Sequence, residues 1–416
     1  MRRCDTGRAV FILVVLSWAA TARAADKYVW LSGGNVPPYE SWTDAATNIH
    51  AAVDAAAAGE TIWVTNGIYN ITNQVVVTNA ITVQGFNGSS NTAVRANGSA
   101  GGYRVFYISN ANAVVDGLTI TNGYSGVAGG GVYLAGGTVR NCTIVTNSLA
   151  WFTGNGGGGI YMTAGTVTNC AIVRNYSGGY CNGGGGINMA GAGSLVVDCS
   201  IRNNSLGKDS SGPGIWCNGG TIRRCWISGN RDEGAATVSG GGVSLISGLL
   251  ESSVICSNNC QSGGGGVSRG PSTFGITRNC LVFANVTAGA GGGINGGIIE
   301  NCTVSGNTGL TAGGVNGGTV TNAIVYFNTA TSGSTHNYSG GAYARSCATP
   351  APAGTDNTAE DPGFADATSG NYRLRPGAPG VDGGTNLPWM TGAKDLDGND
   401  RILPAGGTND MGAYEY

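Results

Sequence analysis

The sequence predicts an all-β solenoid, in which one short unit of β-strands is repeated and stacked along an axis. Three observations predict it: a repeated phrase, an asparagine that closes each phrase, and a glycine cluster that follows most phrases. Successive units begin about 21 to 28 residues apart between Val114 and Thr319, which is typical of solenoids and too short for a propeller blade. A unit of this length accommodates three short strands and three bends, as in one turn of a β-helix.

The repeated phrase has a small residue, most often cysteine, with asparagine five residues later. In the first copy, Cys142 and Ile144 alternate with Thr143 and Val145, and this period of two predicts that Cys142 and Ile144 face the core. The eight copies are NCTIVTN (141–147), NCAIVRN (169–175), DCSIRNN (198–204), RCWISGN (224–230), SSVICSN (252–258), NCLVFAN (279–285), NCTVSGN (301–307) and NAIVYFN (322–328).

The closing asparagines are predicted to form a buried ladder. Rungs of a β-helix stack about 4.8 Å apart, so equivalent positions form columns along the axis. A side-chain amide has both donors and an acceptor, and can therefore bond the amide above and the amide below. Asparagine also tolerates the left-handed conformation that a bend requires. The predicted ladder is Asn147, Asn175, Asn204, Asn230, Asn258, Asn285, Asn307 and Asn328.

A second column contains mostly cysteine and a third contains glycine. Stacked cysteines at this spacing are either buried free thiols or disulfides, with 142–170, 199–225 and 280–302 as the possible pairs. The glycine clusters permit positive φ and close backbone approach. The cysteine column is Cys142, Cys170, Cys199, Cys225, Ser253, Cys280, Cys302 and Ala323.

Composition excludes several classes of protein. Charged residues make up only 11% of the 416 residues and the formal net charge is −2, which argues against a nucleic-acid-binding surface. The N-terminus has basic residues, a short apolar run and Ala22-Arg23-Ala24, the pattern of a cleaved signal peptide. We therefore expect an exported protein, secreted or at a cell surface, with no transmembrane segment after signal removal.

The chain divides into four predicted regions: a signal peptide (1–24), an N-terminal cap with a short helix (25–60), the β-helix (61–347) and a C-terminal cap (348–416). Apolar residues at helical spacing predict that the helix runs from Ser41 to Ala58, with Gly59 as its stop. A cap is expected there because an open strand edge invites aggregation.

The asparagine–cysteine phrases, the asparagine column and the Gly-Gly-Gly-Ile turns resemble exported bacterial right-handed parallel β-helix proteins. They are also similar to the repeats of polymorphic outer-membrane proteins. The resemblance covers roughly residues 61–347 and implies the right-handed parallel β-helix of pectate-lyase-like proteins. It does not imply one activity, because this fold carries lyases, hydrolases and adhesins.

The C-terminal region resembles the choice-of-anchor Q domain, which ends β-helix proteins. The resemblance rests on Asp361-Pro362-Gly363-Phe364, on 371–374, on 395–402 and on the closing segment 410–416. Within it, Asp395, Asp397 and Asn399 alternate either as oxygen ligands of a calcium loop or as a turn in which an aspartate pairs with Arg401. The missing glutamate of a full calcium loop favours the turn.

Candidate catalytic residues cluster after two neighbouring ladder asparagines. These residues are Lys208, Asp209, Arg231, Asp232 and Glu233. In an active site, Lys208 or Arg231 would abstract a proton beside a uronic carboxylate, and the acids would hold calcium or substrate. The alternative is a solvated patch of ion pairs, which contributes little to stability.

Aromatic residues follow the two preceding ladder asparagines. Trp151, Phe152, Tyr176 and Tyr180 are therefore candidate ligand-binding residues that stack against sugars, or else aromatics that cover the edge of the solenoid.

Two functions follow from these patterns. The first is a non-catalytic glycan-binding or adhesin-like module whose partner is a polysaccharide or cell-surface glycan. The second is a polysaccharide lyase or glycoside hydrolase of the pectate-lyase-like type, for which bound Ca²⁺ is the one cofactor considered. The sequence otherwise predicts no cofactor and no metal site.

Overall fold

The computed structural model describes residues 25–150, 155–178, 183–207, 210–233, 239–403 and 406–416. The predictions for the signal peptide and for Trp151, Phe152, Tyr180, Lys208 and Asp209 concern residues outside these ranges. The described chain is a parallel β-solenoid whose strands form three sheets along one axis. The all-β solenoid predicted from the repeats is therefore confirmed.

Sheet 1 has 20 strands and covers two segments of each rung, which merge into single long strands in the middle of the molecule. Its strands are Lys27–Val29, Thr61–Val64, Val75–Val77, Thr82–Gly85, Phe106–Ile108, Val114–Asp116, Val132–Leu134, Thr138–Arg140, Ile160–Thr168, Ile187–Val197, Ile215–Arg223, Val243–Glu251, Val267–Arg278, Ile294–Asn295, Ile298–Glu300, Val315–Asn316, Thr319–Thr321, Tyr338–Ser339, Ala342–Ala344 and Gly354–Thr355.

Sheet 2 has 12 strands and contains the middle of each repeated phrase. Its strands are Gly67–Asn70, Thr92–Arg95, Thr119–Thr121, Thr143–Val145, Ala171–Val173, Ser200–Arg202, Trp226–Ser228, Val254–Cys256, Leu281–Phe283, Thr303–Ser305, Ile324–Tyr326 and Cys347–Ala348.

Sheet 3 has nine short strands, each directly after a ladder asparagine or its equivalent. Its strands are Tyr124–Ser125, Ser148–Leu149, Tyr176–Ser177, Ser205–Leu206, Arg231–Asp232, Asn259–Cys260, Val286–Thr287, Thr308–Gly309 and Thr329–Ala330.

The core is a narrow apolar column between the sheets. Branched aliphatic residues recur at the same register, as in Ile144 against Ile172 and Val139 against Val167, and all four are completely buried. β-Branched side chains favour extended backbone and pack well against stacked neighbours. The predicted inward direction of Cys142 and Ile144 is observed, and the cysteines that the structure describes are free thiols.

The ladder asparagines are buried and bonded from rung to rung. The Nδ2 of Asn204 donates to the Oδ1 of Asn230 at 3.0 Å and to the carbonyl oxygen of Ile172 at 2.9 Å. Its backbone N–H donates to the same Asn230 oxygen at 3.0 Å. The left-handed conformation expected of the ladder residue belongs instead to the residue before it, such as Asn203 with φ 55°. The ladder residue keeps its amide inside because the preceding residue makes the bend.

A second bend lies between sheets 1 and 2, and we call its left-handed residues the corner column. Its members have φ between 47° and 55°, and several bond one another; the Nδ2 of Asn169 donates to the Oδ1 of Asn141 at 2.7 Å. The corner column is Asn141, Asn169, Asp198, Arg224, Ser252, Asn279, Asn301, Asn322 and Arg345.

The glycine clusters precede sheet 1, at positions where the backbones of neighbouring rungs lie close together. A side chain at Gly158 would collide with the carbonyl oxygens of Tyr176 and Gly185. These glycines are therefore required by close packing between rungs.

The first rung is closed by the helix Ile49–Ala55, which buries Ile49, Ala52 and Val53 against the solenoid core. The helix is shorter than the predicted 41–58. Residues 41–47 form turns instead. Their carbonyl groups at Thr43 and Asp44 accept hydrogen bonds from the backbone N–H groups of Gly34 and Val36. The side chain of Asn48 caps the helix by accepting from the N–H of Ala51 at 2.9 Å.

The C-terminal residues lie along the flank of the solenoid, over the outer face of sheet 2. We call residues 361–416 the flank segment. It contains the antiparallel pair Phe364–Asp366 and Asn371–Leu374 and the 3₁₀ turns Ala367–Ser369 and Pro388–Met390. Its Phe364, Tyr372 and Met411 pack with Leu281 and Ile324 of sheet 2 in a second apolar cluster.

Three corner-column asparagines hold the flank segment in place. The Nδ2 of Asn279 donates to the carbonyl of Lys394 at 2.7 Å, and that of Asn301 donates to the carbonyl of Asp410 at 3.1 Å. Asn322 exchanges two hydrogen bonds of 2.9 Å with the backbone of Thr385. The predicted C-terminal cap therefore covers a side of the solenoid.

Candidate functional site

The predicted charged cluster is described only for Arg231, Asp232 and Glu233. Arg231 and Asp232 form a strand of sheet 3, in which Arg231 points outward and Asp232 inward. Asp232 is 9% exposed, and its Oδ2 accepts from the backbone N–H of Gln261 at 2.8 Å. The structure thus gives Asp232 a contact that joins two rungs, whereas Arg231 and Glu233 are exposed.

Of the predicted aromatic set, only Tyr176 is described. It lies in sheet 3 at the outward, half-buried position, with Ser148 and Ser205 beside it in register. The predicted sugar-stacking surface of four aromatics remains a prediction.

A different site lies where the flank segment meets the solenoid. The two form a groove with a cavity volume of about 670 Å³. The solenoid wall comes from three consecutive rungs and the other wall from residues 389–397 with Arg373 and Tyr414. The groove is lined by Arg223, Arg224, Cys225, Trp226, Glu251, Ser252, Val254, Arg278, Arg373, Trp389, Gly392, Ala393, Lys394, Asp395, Leu396, Asp397 and Tyr414.

Trp226 is the aromatic residue on the solenoid wall and is 49% exposed. It begins a strand of sheet 2, at a register position that Ser200 occupies one rung before and Val254 one rung after. Its indole Nε1 donates to the Oγ of Ser228 at 3.1 Å, which fixes the ring direction. The ring lines the groove.

Arg224 lies beside Trp226 and is held by a bidentate ion pair. Its Nε and Nη2 both donate to the carboxylate of Asp198 at 2.7 Å, one rung away in the corner column. The guanidinium lowers the pKa of Asp198, and the carboxylate raises the pKa of Arg224. Both groups therefore remain charged over a wide range of pH, in a fixed planar arrangement.

In sheet 1, the residues directly before the corner column carry alternating charges. Glu251 lies between Arg223 and Arg278 on adjacent rungs, and its carboxylate is only 8% exposed. One of its oxygens accepts from the Nε of Arg223, and the other accepts from Arg278 at 2.9 Å and 2.6 Å. Glu300 follows Arg278 in the same column, and burial raises the pKa of Glu300.

The opposite wall, formed by the flank segment, also carries ion-paired cations and aromatic rings. Arg373 forms a bidentate pair with Asp397, and its guanidinium lies 4.9 Å from the ring centroid of Tyr414. The guanidinium of Arg278 lies 4.8 Å from the ring of Trp389, so an arginine of the solenoid stacks on an aromatic ring of the flank segment. Lys394 pairs with Asp400 at 2.6 Å.

The Asp395 loop at the base of this wall is a turn. Its carboxylate accepts from the backbone N–H groups of Asp397, Asn399 and Glu415, at 2.9, 2.7 and 2.8 Å. The expected pairing of an aspartate of this loop with Arg401 is not found: the salt bridge of Arg401 is to Glu415, at 2.9 Å. Both side chains of that salt bridge are buried beneath the loop.

Binding chemistry fits the groove better than proton abstraction. Each cation in it is paired with a carboxylate, and pairing stabilises the protonated form that a general base must lose. Within the described ranges, no three His, Cys, Asp or Glu residues lie together as a metal site would require.

The helices among the described residues are all too short or too polar to span a membrane.

The groove is not evident from the repeats, although one phrase departs from the pattern at this place. RCWISGN is the repeated phrase in which a bulky arginine and a tryptophan replace the usual asparagine and small residue. That departure from the repeat marks Arg224 and Trp226. The contribution of Arg373, Trp389 and Asp397 had no such signal, because they lie in a region without repeats.

No protein-family model matches the chain, and no curated protein matches it. Among solved structures it is similar to the crystal structure of pectate lyase Pel9A, with a TM-score of 0.51 and 17% sequence identity. The match covers 94% of this chain and 97% of that chain. At this identity the similarity shows a shared fold, the parallel β-helix of a pectate lyase.

Proposed function

We propose that this protein is a secreted or cell-surface β-helix module that binds a polysaccharide without cleaving it, in the groove between the solenoid and the flank segment. The observation that carries the proposal is the exposed ring of Trp226 beside ion-paired arginines. Sugar rings have an apolar face that stacks on indole and a rim of hydroxyls that bond to polar groups. The resemblance of residues 348–416 to choice-of-anchor Q domains supports a location outside the cell.

The test is affinity gel electrophoresis of the full chain in gels that contain a panel of soluble polysaccharides. A polysaccharide that retards the wild-type protein should not retard Trp226→Ala. Trp30→Ala is the matched control, because Trp30 is also exposed, at 41%, and lies at the other end of the solenoid. Equal retardation of Trp226→Ala and wild type would refute binding in this groove.

A polysaccharide lyase is the second candidate, and the similarity to a pectate lyase is the observation that favours it. Its candidate residues are those around Lys208 and Arg231. Bound calcium is a proposed cofactor only for this activity. Incubation with polygalacturonate, with and without calcium, would release unsaturated products that absorb ultraviolet light. Product formation that disappears in Arg231→Ala would replace the binding proposal with a catalytic one.

A further inference from the structure

Each cationic side chain of the groove is paired with a carboxylate, and this pairing decides which polysaccharides the groove suits. Five cationic side chains line it. Each is paired with a carboxylate: Arg223 and Arg278 with Glu251, Arg224 with Asp198, Arg373 with Asp397 and Lys394 with Asp400. Glu251 and Asp397 line the groove themselves, whereas Asp198 and Asp400 lie outside its lining.

We infer that the ligand of this groove is a neutral polysaccharide. The inference rests on the proposed function and names the class of ligand for the same site. A polyanion needs unpaired cations, and each carboxylate or sulfate that entered would displace or repel Glu251, Asp198 or Asp397. A neutral sugar has no charge to compensate and meets no such repulsion.

The ion pairs offer the two kinds of partner that a hydroxyl group needs. A sugar hydroxyl donates one hydrogen bond and accepts others, so it is best bound by an acceptor and a donor side by side. The Arg373–Asp397 pair presents this combination on one wall, and on the opposite wall Arg224 is held by Asp198 at the edge of the groove. A guanidinium has five N–H donors, and a bidentate pair occupies two of them.

The aromatic rings complete the arrangement on both walls. Trp226 belongs to the solenoid, whereas Trp389 and Tyr414 belong to the flank segment. The rings of Trp389 and Tyr414 each carry a stacked guanidinium, while Trp226 is the most exposed aromatic ring of the groove. We therefore assign Trp226 as the stacking surface and the two arginine–aspartate pairs as the hydroxyl-binding groups.

The experiment compares soluble β-glucan and galactomannan with polygalacturonate and alginate, by calorimetry of the full chain at low and high sodium chloride. We expect a neutral polymer to bind at least about 10-fold more tightly than either anionic polymer. Its Kd should change less than about 2-fold with salt, because salt screens attraction between charges and a neutral polymer has no charge to attract. Trp226→Ala should abolish this binding.

The charge balance itself is tested by Asp198→Asn, which leaves Arg224 unpaired. Asp198 is 45% exposed, so the substitution should leave the fold intact. This variant should bind the neutral polymer less tightly and acquire salt-sensitive binding to polygalacturonate. Asp356→Asn is the control, because it unpairs Arg345 of the same corner column outside the groove, and it should behave as wild type.

The remaining outcomes separate the two claims. A wild-type protein that prefers an anionic polymer, with binding that weakens in salt and is lost in Trp226→Ala, overturns the neutral ligand and keeps the proposed function. Absence of binding to every polymer, or full binding by Trp226→Ala, overturns the proposed function itself.

Discussion

The two halves of sheet 2 have the same apolar inner face, but their outer faces differ. In the first half the outward positions are Thr119, Thr143, Ala171 and Ser200, which are half-buried and meet solvent. In the second half the same register carries Val254, Leu281 and Ile324, which the flank segment covers. The interior of a repeat thus fixes the fold, while its exterior decides whether another segment docks there.

Trp226 lies at the boundary between the two halves. Its side chain is 49% exposed, so the flank segment leaves much of it uncovered. An exposed aromatic residue at the edge of a docked segment borders a groove with two walls, which is where a chain-like ligand can be held. The candidate site therefore lies where the repeat changes.

The largest effect is expected from the ladder, which both halves share. Asn204→Ala and Asn285→Ala should each lower the free energy of unfolding by about 3 kcal/mol, because several buried groups of neighbouring rungs lose their partner. Chemical denaturation measures this. The exposed Asn259, changed to alanine, should have almost no effect, and unequal losses at Asn204 and Asn285 would show that the interiors of the two halves differ.

The outer faces should respond differently to the same kind of truncation. Leu281→Ala removes a side chain that is 4% exposed beneath the flank segment and should lower stability by about 2 kcal/mol. Ser200→Ala, at the equivalent register position in the open half, should stay within about 0.5 kcal/mol of wild type. Equal losses would mean that the flank segment contributes no packing energy.

The covered half should also be sensitive to pH. Burial raises the pKa of Glu415 to about 8, although Arg401 opposes the shift, and burial also raises the pKa of Asp410. A carboxyl with a raised pKa stabilises the folded state when protonated. Its contribution is present at low pH and is lost as pH rises through the window from about 4.5 to 8.

The melting temperature should therefore fall as pH rises through this window, and Glu415→Gln should flatten the profile. The exposed Glu360, changed to glutamine, serves as the control and should keep the wild-type slope. A Glu415→Gln variant with an unchanged slope would contradict the assignment.

At the boundary itself we expect a stability effect as small as at the control positions. Trp226→Ala should change the free energy of unfolding by less than about 0.5 kcal/mol, since the ring is half exposed. A larger loss in chemical denaturation would mean that the ring supports the flank segment, and its loss of ligand binding would then have a structural cause.

The solenoid was predictable from the sequence because its contacts recur at a fixed spacing. Asn204 and Cys199 could be placed in columns because each position has equivalents in neighbouring rungs. The flank segment could not be placed in this way. Its contacts, such as Asn279 with Lys394, join a repeated region to a region without repeats, and no period connects them. Trp151 and Lys208 lie outside the described residues, so their predicted roles remain predictions.

The flank contacts also imply an order of assembly. Neighbouring rungs meet through residues 21 to 32 apart, as in the ladder bonds, whereas Asn301 and Thr303 meet the flank segment across 109 and 110 residues. Closing a longer loop carries a larger entropic penalty, so the rungs can form before the flank closes. We therefore expect a chain that lacks residues 361–416 to expose Leu281 and Ile324 and to have one groove wall in place of two.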